Sequence, residues 1–336
     1  MKTNLNKFLI TISFAAFLCI PEVSAQEPKT RMVPSGVNAE RIVNVENLHA
    51  DVSFMTDTLY RGRETGTRGA AEMAFWIATR YMGAGLTPLG KDWSHSFRHG
   101  GRTGRNMVGF MPGGRNRGVE TYTIVAAHYD NLGMIEGRLF PGADSNASGV
   151  VAMLTVADMF ARMKQLGRSY GGNIIFVALD GKEKDSAGAE ALVRELRSGA
   201  LKDPVSGETI TEGRIRAAVV LDILGSTLEP LDKGRPDYLI MLSDGRYVSD
   251  LKSANGNQGL GLDLSFDYYG SRKFTEMFHG KIGDQAVFAS AGLPNILFTS
   301  GITMKTNKTS DTAETLDYEI LAKRIKLIFH WLTKVI

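Results

Sequence analysis

Histidine, aspartate and glutamate stand directly after short apolar runs in this 336-residue chain. Ala126-Ala127 leads into His128, Tyr129 and Asp130; Ile174-Ile175-Phe176-Val177-Ala178-Leu179 leads into Asp180, Gly181, Lys182 and Glu183; Val219-Val220-Leu221 leads into Asp222. Imidazole and carboxylate groups are the donors that hold zinc and related cations. A bound metal lowers the pKa of its water towards about 7, and a carboxylate then takes the proton. Two residues break that chemistry. Ser145, inside Pro141-Gly142-Ala143-Asp144-Ser145-Asn146-Ala147-Ser148-Gly149, carries no charge, and Lys182 is cationic at neutral pH, which opposes both a base role and a nearby cation.

The elements that must position these groups alternate along the chain. Residues 122–127, 173–179, 217–224, 238–242 and 295–299 are rich in Ile, Val and Leu and predict buried strands. Val150, Met153, Leu154, Ala157, Phe160 and Met163 recur at helical spacing between the first two, and Leu321, Ile325, Ile328, Leu332 and Val335 repeat the signal at the C-terminus. Strands alternating with helices predict an α/β fold, a mostly parallel twisted sheet with helices on both faces. The chemistry-bearing residues follow strands, where open α/β sheets bind ligands.

Together these segments resemble the M28 family of zinc exopeptidases, in which they read A-H-x-D and P-G-A-D-D-N-A-S-G. The likeness extends over residues 37–336: Gly62-Arg63-Glu64-Thr65-Gly66-Thr67, Asn106-Met107-Val108-Gly109, Gly283-Asp284-Gln285 and Ala291-Gly292-Leu293-Pro294 follow the family's order, with Gln285 where S-D-H has its histidine. The resemblance implies a three-layer αβα zinc-exopeptidase fold and a site of two zinc ions. It assigns metal-ligand positions to His128, Glu183 and Asp222, which are retained, and to Ser145 and Asn307, which stand where the bridging Asp and the last His belong. It places Asp130 behind the first histidine as its orienting partner, and Lys182 at the general base. Asp144 is a candidate substitute for the lost bridge, with a loop or helix-cap role as its plainer reading. Lys182 is expected to restore charge balance among Asp130, Glu183 and Asp222.

The resemblance therefore implies an M28-like protein that has lost peptidase activity, at most one zinc ion, and a cleft open to a peptide or amino-acid-like ligand. One alternative is an active aminopeptidase with a one-metal site of His128, Asp222 and Asp144; a second is a glutaminyl-cyclase-like acyltransferase. Other histidines have plainer readings. His95 and His99 lie on an alternating, strand-like stretch and are expected at the surface; His279 and His330 have no partner signal. Arg98, Arg102 and Arg105 are expected in a solvated loop.

Residues 1–25 read as a cleavable signal peptide. Lys2 and Lys7 precede the apolar run from Phe8 to Ile20, and Val23-Ser24-Ala25 offers a small-residue cleavage site. Residues 26–336 are then expected to form one domain, secreted or periplasmic. The only cysteine, Cys19, falls within the signal, so disulfides and thiol catalysis are excluded from the remainder. A formal charge of +3 carries no nucleic-acid footprint, and residues 26–336 hold no apolar run long enough to span a membrane.

Overall fold

The apolar runs build the centre of one mixed sheet. The computed structural model describes residues 39–114, 120–227 and 235–336; the signal-peptide reading lies outside the described residues. The strands are β1 (Thr87–Pro88), β2 (Ser94–His99), β3 (Arg102–Met111), β4 (Tyr122–His128), β5 (Gly133–Ile135), β6 (Arg138–Phe140), β7 (Asn173–Leu179), β8 (Ile215–Leu221), β9 (Tyr238–Leu242), β10 (Asp263–Ser265) and β11 (Asn295–Thr299). All but β5 and β6 join a nine-stranded sheet in the order β1-β3-β7-β4-β8-β11-β9-β10, with β2 also on β3.

The four inner strands β7, β4, β8 and β11 run parallel, and the flanks turn antiparallel at β3 on β7 and β9 on β11. The sheet is therefore parallel at its centre and mixed overall. A tight turn at Gly100-Gly101, both at positive φ, joins β2 to β3, and so short a link permits only antiparallel pairing. That hairpin also corrects the expectation for the arginines, since Arg98 lies on β2 and Arg102 and Arg105 on β3.

The helices are α1 (Val45–Thr56), α2 (Arg68–Gly83), α3 (Ser148–Gln165), α4 (Ala187–Ser198), α5 (Val248–Asn257), α6 (Arg272–Gly280), α7 (Asp284–Ser290) and α8 (Tyr318–Val335). Inner-strand side chains alternate between two cores, as the pleat demands. Val125, Ala127, Val219 and Leu221 pack towards α1, α2, α3, α5 and α8, whereas Ile124, Ala126, Ala218 and Val220 pack towards α4 and α7. Both sheet faces are thus covered, which explains why these strands read as unbroken apolar runs.

Helix α3 starts where the Pro141–Gly149 loop meets the end of β8. A Cβ on Gly149 would lie 2.5 Å from the Leu221 carbonyl oxygen and 2.3 Å from Asn146 Oδ1, so no side chain fits. Gly149→Ala should lower stability by about 2–3 kcal/mol through overpacking. The check is a urea titration in which the midpoint falls while the slope is unchanged.

Candidate functional site

Parallel pairing brings the carboxyl ends of β7, β4 and β8 side by side, with His128 opposite Leu179 in the register. β8 stops at Leu221, three residues before the end of the expected strand. Asp222 N–H still donates to Phe298 O, but Ile223 turns into the left-handed region (φ 57°) and its N–H donates to Asn146 Oδ1. This break leaves Asp222 at the strand end, beside His128.

His128 is buried, with Nδ1 3.1 Å from the Asp130 carbonyl oxygen and Nε2 3.3 Å from Asp222 Oδ1. Both neighbours only accept, so the imidazolium form satisfies both ring nitrogens. Burial pulls the imidazole down, but its bonds to Asp130 and Asp222 outweigh this and raise its pKa to about 10. Asp222 stays below its ordinary range: burial opposes ionisation, and the hydrogen bond and charge of His128 prevail. Asp130 is also held low against burial, by His128 and by the N–H groups of Lys182 and Glu183, each 3.1 Å from a carboxylate oxygen. Thr65 Oγ1 adds a 3.3 Å bond.

Lys182 turns its ammonium onto Glu183, Nζ to Oε1 at 2.7 Å, and the two side chains are only 17% and 14% exposed. Burial disfavours this charge, but the attraction of Asp222 and Glu183 more than compensates, so Lys182 titrates above the ordinary lysine range. Two cations, His128 and Lys182, thus face three carboxylates, Asp130, Glu183 and Asp222. An open groove of about 590 Å³ runs past Lys182 and Glu183 to Lys281, Ile282 and Gly283.

The remaining expected site residues are placed differently. Ser145 is buried, and its hydroxyl makes no hydrogen bond. Its N–H, like that of Asp144, donates to the Asp311 carboxylate, at 3.1 and 2.8 Å. The Asp144 carboxylate accepts from Gly225 N–H at 2.6 Å and from the Ser148 hydroxyl at 3.0 Å. Both bonds fall on Oδ1, which serves the turn after β8, while Oδ2 is buried without a hydrogen bond. Asn307 lies exposed in the loop after β11, in the left-handed region (φ 59°).

Several working residues escaped the sequence reading. Arg63 is fully buried and donates to the carbonyls of Met55, Tyr129, Pro141 and Gly142 at 2.7–2.9 Å. It was quoted within Gly62–Thr67, yet nothing in that string reveals that four carbonyls converge on it. Arg324 does the same for Leu224, Ser226 and Tyr238. The Gln285 amide donates to the carbonyls of Phe278 and Ile282, tying α6 to α7. His95 is not at the surface: 10% exposed, it pairs with Glu195 at 2.7 Å. His99 lies 3.7 Å from Asp185, and buried His330 bonds Glu40.

The profile of peptidase family M28 matches residues 106–332. The chain belongs to peptidase family M28. It is 25% identical over 203 residues to leucine aminopeptidase 1 of Sclerotinia sclerotiorum, covering 59% of this chain and 47% of that protein. It is also 25% identical over 204 residues to BOS complex subunit ncln of Danio rerio, covering 56% of this chain and 32% of that one. The chain thus spans about half the length of the first relative and a third of the second. BSAP, a zinc aminopeptidase from Bacillus subtilis, has the same fold, with a TM-score of 0.66 at 13% identity over 87% of this chain and 95% of that one. The fold likeness extends to glutaminyl cyclases.

Zinc in this M28 family member would have to be held at the positions that the resemblance assigns to it, and the residues there do not fit a two-zinc centre. Ser145 offers an unbonded hydroxyl, the Lys182 ammonium sits on Glu183, and Asn307 has only a weak amide donor to offer. Among the described residues no three His, Cys, Asp or Glu side chains converge as a metal-holding group.

Asp284, at the start of α7, is buried beside this cluster. Burial pushes its carboxyl up to about 6, against the attraction of His128. A pKa raised above the unfolded value gives stability that is complete below about pH 4 and lost as pH rises through 6. Asp284→Asn should therefore stabilise the protein by about 2 kcal/mol at pH 7.5, with the gain vanishing at pH 4. Urea titrations of both proteins across that range check this.

Proposed function

We propose that this chain is a non-hydrolysing member of family M28 that binds a peptide or amino-acid-like ligand in its cleft. One observation carries the reading: at the family's general-base position stands Lys182, its ammonium bonded to the glutamate that would otherwise hold metal. A lysine held in its charged form cannot accept the proton of an attacking water. The bridging carboxylate and the last histidine are replaced as well, by Ser145 and Asn307. Groups that act as a unit on one water fail as a unit, so the losses do not compensate each other.

The groove beside Lys182 and Glu183 has the volume of a small-ligand site. It offers a cation and carboxylates, the complement of the amine and carboxylate of a peptide or amino acid. Export follows from the N-terminal signal-like segment. Among the described residues no helix is long and apolar enough to cross a membrane.

The test is zinc titration calorimetry with metal analysis on the purified mature chain, beside His128→Ala, followed by a panel of aminoacyl and peptide substrates. The expected outcome is no stoichiometric zinc and turnover at the level of the buffer. Tight zinc that disappears in His128→Ala, with cleavage of any substrate, would instead establish a one-metal hydrolase.

A further inference from the structure

We infer that the Lys182 ammonium is a built-in structural counter-ion, which holds the strand-end carboxylates together as a bound divalent cation would and makes the fold independent of metal. The inference rests on the non-hydrolysing reading of the same site and says what keeps that site folded.

Three carboxylates act on the Lys182 ammonium at the ends of β4, β7 and β8. Asp130 is buried, and Asp222 and Glu183 have side chains 18% and 14% exposed, so water screens their repulsion poorly. His128 is committed to Asp222 and Asp130. Among the described residues the only other cation bonded to these three carboxylates is Lys182, on Glu183 at 2.7 Å, and it is drawn by Asp222 and Asp130 as well. Removing it would leave Glu183 partly buried and unpaired, next to like charges.

The segment that carries Lys182 also needs holding. Gly181, Asp185 and Ser186 all lie at positive φ, 76°, 59° and 55°, and serine rarely adopts it. Lys184 bonds Glu64 at 3.2 Å on the outer side, so this bend is pinned by one lysine within the cluster and one outside it. A hydrophobic or packing role for Lys182 would not depend on the carboxylates, whereas a counter-ion role must. That difference is measurable.

The experiment is a double-mutant cycle on the mature chain, read as thermal midpoints at pH 7.5 with and without EDTA or zinc. The wild-type midpoint should be unmoved by either addition. Lys182→Met should lower it by about 3 °C or more, and Lys182→Met with Glu183→Gln should recover at least half of that fall, since the unpaired charge is gone. Lys182→Glu should lower it further, and zinc should then raise it. If Lys182→Met alone does not fold, its rescue by Glu183→Gln gives the same answer. An unchanged midpoint in Lys182→Met, additive losses in the pair, or failure of the second change to rescue would each overturn the counter-ion role. The two readings fail separately: zinc-dependent cleavage by the wild type removes the non-hydrolysing reading, while additive losses in a zinc-free, inactive protein remove only this one.

Discussion

The Asp130 carboxylate is the constraint on which the site depends. A fully buried charge survives only when donors surround it. Asp130 takes its donors from the backbone N–H groups of residues 182 and 183 and the Thr65 hydroxyl, and it faces the His128 imidazolium at 3.6 Å. The turn after β7, the segment before α2 and the end of β4 are thereby fixed relative to one another. Two of these donors are main-chain groups, indifferent to the side chains that follow them. The turn accordingly keeps its shape with lysine at position 182. Asp311 treats the other critical loop in the same manner, binding the N–H groups of Asp144 and Ser145 whatever their side chains.

Two buried arginines complete the frame, with no carboxylate among the described residues bonded to either. Arg63 gathers carbonyls from α1, from the residue after β4 and from the Pro141-Gly142 turn; Arg324 gathers those of the turn after β8 and of β9. Burial lowers both to about 10, which leaves them charged at neutral pH. Each closes off carbonyls that would otherwise be buried unpaired, a cost of about 1–3 kcal/mol per group. The loops that carry His128, Asp144, Ser145 and Asp222 are therefore positioned from behind, by groups that take no part in the chemistry.

The centre of the fold was legible because apolar runs at β4, β7, β8, β9 and β11 can only be buried strands, and α3 and α8 carry helical periodicity. Strands of two or three residues, such as β1, β5 and β10, are too short to show a period. The end of β8 was missed because Ile223 reads as one more apolar residue, and only the tertiary bond from Asn146 turns it left-handed. At the site, the resemblance to family motifs picked out His128, Glu183 and Asp222, and the structure brings His128 onto Asp222. It could not reveal where Asp144 points, because an aspartate serving Gly225 N–H and one reaching into the cleft have the same local sequence. Nor could it assign Arg63 or Asp311, whose partners lie far away along the chain.

The glycine at the start of α3 gives this frame a memory that its chemistry lacks. Ser145 and Lys182 could replace carboxylates because each turn is held by its own amides. Gly149 has no such freedom, since a single methyl group would strike the Leu221 carbonyl and the Asn146 amide together. On the non-hydrolysing reading, the chain could lose charged groups at little expense to folding, yet had to keep the small residues that let α3 approach β8. What a sequence comparison detects across residues 106–332 is then in large part a record of steric necessity, which does not depend on whether the site turns over.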